Sequence, residues 1–183
     1  SKTEGTRAIK DFKLVETYSL VDDQLKWDIT VENTNDSDLV FGDFGVPLAF
    51  HEIWVNQGEA YEACTVDHSF VRKDSSYVYA TRPSGQGHFL LMTPETETGA
   101  GFEYQDHWQV GQRRAEEKEW CMDQADWANG LNVFYIHSDA ISKDAKSGNK
   151  GYMESSSMTL KAGESKTYSF NFTGVADESE MKT

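Results

Sequence analysis

Asn33, Asn35, Asp36 and Asp38 crowd one short stretch between two apolar segments, and Asp43 follows between Gly42 and Phe44. Oxygens at that density could hold calcium, a hard cation that accepts any convergent set of carboxylates and carbonyls. An EF-hand loop would need Gly at its sixth position and Glu at its twelfth. Counted from Asn33 those positions are Asp38 and Phe44, so an EF-hand is excluded. A different calcium site on Asp36 or Asp38 is the remaining metal candidate, and no other cofactor is expected. The competing reading is an Asx-rich turn, because these side chains bond nearby backbone and tolerate left-handed conformations. The turn is the reading adopted. Asp43 is expected to cap backbone amides, and Gly45 and Pro47 to help bend the chain out of a sheet.

Catalytic pairs are harder to find. Glycoside hydrolysis needs two carboxyl groups about 5 to 10 Å apart across a cleft. Glu95 with Glu97, Asp106 beside His107, and Asp123 with Asp126 could supply them, yet a chain with 31 acidic residues offers such pairs by accident. An isomerase working through a His and a carboxylate would draw on His51 with Glu52, or on Asp106 with His107. Neighbouring strand residues point to opposite faces, which argues against either pair acting together. The five histidines stand singly, without the HxH or HExxH spacing of a zinc site. No GxSxG surrounds a serine, and "PSGQG" at 83–87 lacks the Lys-Ser or Lys-Thr of a phosphate loop. No catalytic residue is assigned.

The aromatic residues suit a ligand better. Pyranose rings stack on exposed Trp and Tyr because their C–H faces are apolar while their rims carry hydroxyls. Trp54, Tyr61, Tyr104, Trp108, Trp120 and Trp127 fall near loops or element ends, where such a platform forms most readily. Absorption into the core is the alternative for each of them. The net charge of −14, from 17 basic against 31 acidic residues, disfavours nucleic-acid phosphates and anionic membranes as partners. It permits a neutral glycan, and it also simply keeps a protein in solution.

The elements that would position these residues are strands. In "QLKWDITVEN", Leu25, Trp27, Ile29 and Val31 share one face and Lys26, Asp28, Thr30 and Glu32 the other, the pattern of a half-buried strand. "DFKLVETYSLV" precedes it across "DDQ", so the two form an antiparallel hairpin. Short apolar runs follow at "LVFGDF", "HEIWV", "HSFVR", "YVYAT", "HFLLMT" and "LNVFYIHS". Two more strands lie in "SSSMTLKAGESKTYSFNFTGV", with Tyr168, Phe170 and Phe172 on one face and a turn at 162–164. About ten strands at this spacing predict an all-β, antiparallel two-sheet sandwich. Residues 111–130 form the one predicted helix, with Trp120 and Trp127 on one face, and 138–156 a long polar loop. No linker composition divides residues 1–183, so a single domain is expected. Cys64 and Cys121, the only cysteines, are compatible with a disulfide or with two free thiols.

"LKWDITVENTNDSDLVFGDFGVPLAF" resembles the amino-terminal sandwich of a family of large secreted bacterial proteins of uncharacterised function, the DUF5695-like family. "NVFYIHS" and "LKAGESKTYSFNF" resemble its later strands, so the likeness runs over most of residues 20–175. The resemblance implies a supersandwich similar to galactose-mutarotase-like domains, as carried by toroid glycoside hydrolases, excised here from a larger chain. It implies a secreted or cell-surface location and a non-catalytic accessory role. The partner would be a glycan or an adjacent catalytic domain of the same chain. The resemblance carries no catalytic residue onto this sequence. A free-standing mutarotase-like enzyme and a structural or adhesion domain without a small ligand are the alternatives.

Overall fold

The computed structural model describes residues 1–50, 60–107, 132–144 and 155–182. Its strands are β1 (Lys2–Ala8), β2 (Phe12–Val21), β3 (Gln24–Asn33), β4 (Leu39–Phe41), β5 (Asp43–Leu48), β6 (Val66–Phe70), β7 (Tyr77–Thr81), β8 (Phe89–Pro94), β9 (Tyr104–His107), β10 (Asn132–Ser138), β11 (Met158–Leu160) and β12 (Ser165–Val175). Short helices α1 (Ala60–Ala63) and α2 (Asp139–Asp144) and 3₁₀ turns at Thr96–Thr98 and Glu180–Lys182 complete the described elements.

One sheet runs β1-β2-β3-β12-β8-β7-β6, and every pairing in it is antiparallel. Facing it are β5-β10-β9 and the pair β11-β4, also antiparallel. The protein is an all-β sandwich. β3 follows its alternation: Trp27, Ile29, Val31 and Asn33 are buried while the residues between them are not. Asp22 and Asp23, both at positive φ (48° and 63°), close the β2–β3 hairpin as a two-residue turn matched to strand twist.

Between the layers lies one apolar core. Trp27, Ile29, Val31, Tyr168, Phe170, Val78 and Met92 come from the large sheet, and Val46, Leu48, Phe134, Ile136, Met158 and Leu160 from the facing strands. Phe102 joins the two, with its ring centroid 5.3 Å from Phe170 and 5.2 Å from Phe134. Each such large side chain is worth roughly 1.5–3 kcal/mol when taken fully out of water, so this core carries the fold.

Two expectations change. Residues 43–48 do not bend out of a sheet but form β5, with Pro47 on an edge strand where a missing N–H is tolerated. Gly45 is required there by space: an added Cβ would lie 2.8 Å from Val133 Cγ1 and 2.9 Å from the Tyr135 ring. The segment read as a long polar loop opens with the last residue of β10 and then helix α2. The turn at 162–164 carries the chain from one layer to the other, because β11 pairs with β4 while β12 pairs with β3 and β8. The helix predicted over 111–130 lies outside the described residues.

Candidate functional site

The acidic loop that could have held calcium is wired to backbone. Asn33 is fully buried, and its Oδ1 accepts the Asn35 amide at 2.9 Å, closing an Asx turn. Its Nδ2 lies 2.8–3.0 Å from the carbonyls of Ser37, Leu160 and Lys161, tying the loop to the end of β11. Asp36 and Asp38 are exposed, and among the described residues no three His, Cys, Asp or Glu side chains converge on a point. Asp43 accepts the Ile141 amide at 2.9 and 3.0 Å with its two oxygens, so it caps the first turn of α2 from a distant strand.

A second polar group is buried between the layers. Glu103, 2% exposed, accepts from Lys73 Nζ (3.0 Å), Ser138 Oγ (3.0 Å) and the Ser156 amide (2.8 Å), and from the Ser156 hydroxyl. Burial raises its pKa, but the two Ser156 bonds and Lys73 outweigh that and hold it below the usual carboxylate range. Lys73 also donates to the Ile136 carbonyl at 2.7 Å. Beyond Ser156, His137 Nδ1 lies 2.8 Å from Ser156 Oγ and Nε2 lies 2.6 Å from the Tyr168 hydroxyl.

The proton positions follow by elimination. Ser156 gives its one hydroxyl proton to Glu103, so Nδ1–H of His137 must donate to Ser156 Oγ. Nε2 then accepts from Tyr168, whose other contact, Met158 Sδ at 3.1 Å, is the weaker acceptor. Burial first, then the charge of Lys73, lowers the His137 pKa to about 4, while Glu103 opposes and Lys166 adds slightly. The imidazole is neutral at neutral pH, as this tautomer demands. A Tyr–His–Ser–Glu–Lys chain of this kind could pass a proton, but its carboxylate is closed to substrate-sized groups.

The outer face of the large sheet has the opposite character. Along β6, β7 and β8, His68, Phe70, Tyr77, Tyr79 and Phe89 alternate with inward residues such as Val78. Their rings form a parallel-planed row: His68–Tyr79 at 4.9 Å, Phe70–Tyr77 at 5.8 Å, Tyr77–Tyr79 at 6.4 Å and Tyr79–Phe89 at 5.9 Å, with interplanar angles of 8–24°. Phe70 is 46% and Tyr77 39% exposed, so the row faces solvent. Beside it, Tyr77, Tyr79, Leu91, Thr93, Glu178 and Met181 line a pocket of about 310 Å³. β8 places Leu91 rather than a ring directly opposite Tyr79, and the row continues diagonally to Phe89. Burial, and then the charges of Glu178 and Tyr77, push the Tyr79 hydroxyl pKa up.

Of the predicted stacking residues, Tyr61 and Tyr104 are among the described residues. Trp54, Trp108, Trp120 and Trp127 lie outside the described residues, as do His51, Glu52, Asp123, Asp126 and Cys121. Tyr104 is half-buried on β9 with its ring 5.9 Å from Tyr135. Tyr61 is exposed on α1. Asp106 and His107 are consecutive on β9, opposite Val133 and Asn132. Glu95 is occupied by Lys26 Nζ (3.0 Å) and Asn171 (3.2 Å), and Glu97 is exposed. Reading "HSF" and "YVY" as strands leaves open which face their rings take. Aromatics spaced by two around Ser69 and Val78 were the available signal.

A family model described as a family of unknown function, DUF5695, matches residues 4–183. The chain belongs to the DUF5695 family. A search of the curated proteins gives no match. Among solved structures, a polysaccharide lyase matches this DUF5695 sandwich with a TM-score of 0.68 at 12% identity, covering 97% of this chain and 22% of that one. That likeness shows the fold, and the DUF5695 chain spans about a fifth of the lyase. A galactose mutarotase related enzyme from Lactobacillus acidophilus matches with a TM-score of 0.38 at 10% identity, over 94% of this chain and 67% of that one.

Proposed function

We propose that this sandwich is a non-catalytic accessory module of a secreted or cell-surface carbohydrate-active protein, and that it holds glycan on the Tyr77–Tyr79 row. The observation that carries the reading is the row itself: five parallel rings on an open sheet face beside a pocket lined by two of them. Stacked aromatics expose apolar surface that a sugar's C–H face covers, while the tyrosine hydroxyls remain free to meet its rim. The polysaccharide lyase supports the setting, because a sandwich of this fold there makes up about a fifth of a larger chain. The same fact favours a second reading, in which the open face braces an adjacent catalytic domain of the same chain.

A glycan array followed by calorimetry on the best binders separates the two. Tyr77→Ala and Tyr79→Ala should each weaken binding by about two- to tenfold, the value of one aromatic stacking contact. Equal binding by both variants, or no binding to any glycan by the folded chain, overturns the glycan reading and leaves the bracing one.

A further inference from the structure

We infer that the pocket beside the aromatic row selects neutral pyranose chains over uronate-bearing ones, with the Glu178 carboxylate as the selecting group. This rests on the glycan reading above and names its ligand class. Among the described residues the lining offers two tyrosines, Leu91, Met181, the Thr93 hydroxyl and one carboxylate, and no lysine or arginine. An ionised carboxylate only accepts hydrogen bonds, so it can fix sugar hydroxyls, which donate, but repels a sugar carboxylate. Recognition of a uronate would require a cation in the lining, an Arg fork above all.

Glu178 is held in place by its neighbours. Asp177 Oδ1 accepts the Ser179 amide at 2.7 Å, the Glu180 amide at 3.3 Å and the Ser179 hydroxyl, which folds the chain after β12 into a tight turn. That turn sets Glu178 and Met181 against Tyr77 and Tyr79, and the Glu178 carboxylate has no hydrogen-bond partner among the described residues. The chain's net charge of −14 adds a field of the same sign. An ammonium ligand would also suit a carboxylate beside rings. The rings here lie within 8–24° of parallel, however, and so form a row rather than the crossed walls of a cage.

The test is calorimetry at low ionic strength on the whole chain and on Glu178→Gln, which keeps shape and removes charge at an exposed site. The probes are hexasaccharides of neutral β-glucan, mannan and galactan, and hexauronates of matched length. Neutral chains should bind the unmodified protein about 5- to 10-fold more tightly than uronates, one carboxylate–carboxylate repulsion in a partly wet site. E178Q should bring that ratio within about twofold, and added salt should narrow it in the unmodified protein. Uronates binding as well as neutral chains, an unchanged ratio in E178Q, or tighter binding of a glucosamine hexamer would each overturn the selection. The glycan reading would survive those results provided Tyr77→Ala still weakens binding. If no hexasaccharide binds at all, both fall.

Discussion

The interior chain around Glu103 and the outer row around Tyr79 sit on opposite sides of one sheet and use opposite chemistry. Inside, Lys73, Glu103, Ser156, His137 and Tyr168 form one chain of hydrogen bonds. Outside, rings stack on one another, yet Phe70 and Tyr77 stay open to solvent, and the Glu178 carboxylate beside them has no hydrogen-bond partner among the described residues. Groups that look catalytic by type are tied together here through Ser156, while residues that look like ordinary strand content stand open to solvent. Chemistry that is fully satisfied stabilises; chemistry left unsatisfied at a surface recognises.

The largest effect should come from breaking the interior. Glu103→Ala strips a carboxylate that is 1% exposed from Lys73, which is itself only 20% exposed, and orphans the Ser156 amide and Ser138 hydroxyl. Removing one partner of a buried ion pair typically costs about 3–5 kcal/mol. Urea titration should show that loss, whereas an effect under about 1 kcal/mol would mean that water reaches Lys73 and the interior is not closed.

An acid-sensitive term comes next. The folded-state pKa of His137 is lowered to about 4 against an unfolded 6.5, so below 6.5 the unfolded chain takes up a proton that the folded chain refuses. The stabilisation is complete above pH 6.5 and is lost as pH falls toward 4, on the order of 2–3 kcal/mol for a shift of this size. The depressed carboxyl of Glu103 adds a loss of the same sign, at lower pH. His137→Gln should flatten the slope of urea stability between pH 6.5 and 4.5. An equal slope in that variant would assign the acid sensitivity to other groups. Substitutions in the aromatic row should leave the slope alone.

Much of the sandwich was legible because period-two alternation is a local signal. β3 shows its buried face in seven consecutive residues, and Tyr168, Phe170 and Phe172 do the same in β12, where only Phe172 remains partly open. The layering was less so: that 162–164 crosses between layers depends on pairing with β4, more than a hundred residues away. The interior chain had no local trace. Its bonds join residues 19 to 63 positions apart, and a lone His or Glu in sequence carries no sign of such partners. The row failed differently, for in β7 both faces are apolar, Val78 and Ala80 inward and Tyr77 and Tyr79 outward, so alternation alone does not name the wet side. Tyr61 on α1 and Tyr77 at the start of β7 are exposed, whereas Tyr104 is half-buried against Tyr135.

The smallest effect tests whether the two regions are independent. They share the turn between β6 and β7, since Lys73 reaches in to Glu103 while Phe70 and Tyr77, at the strand ends either side, belong to the row. Ser76, in the same turn, donates to the Arg72 carbonyl at 2.6 Å and accepts the Phe102 amide at 2.7 Å. Gly101 holds the approach close, because at φ 143° an added Cβ would lie 1.9 Å from the Lys73 carbonyl oxygen. Tyr77→Ala alone should cost about 0.2–1 kcal/mol, the value of one cross-strand aromatic pair. In the Glu103→Ala background the turn has lost its inner anchor, so the Phe70–Tyr77 pair is already loosened and Tyr77→Ala should cost less. A double-mutant cycle read by urea denaturation should give a coupling of at least about 0.5 kcal/mol, as expected for sites that share a backbone element. Additivity within about 0.3 kcal/mol would show that the turn transmits nothing, and that the row is rigid on the sheet whatever happens beneath it.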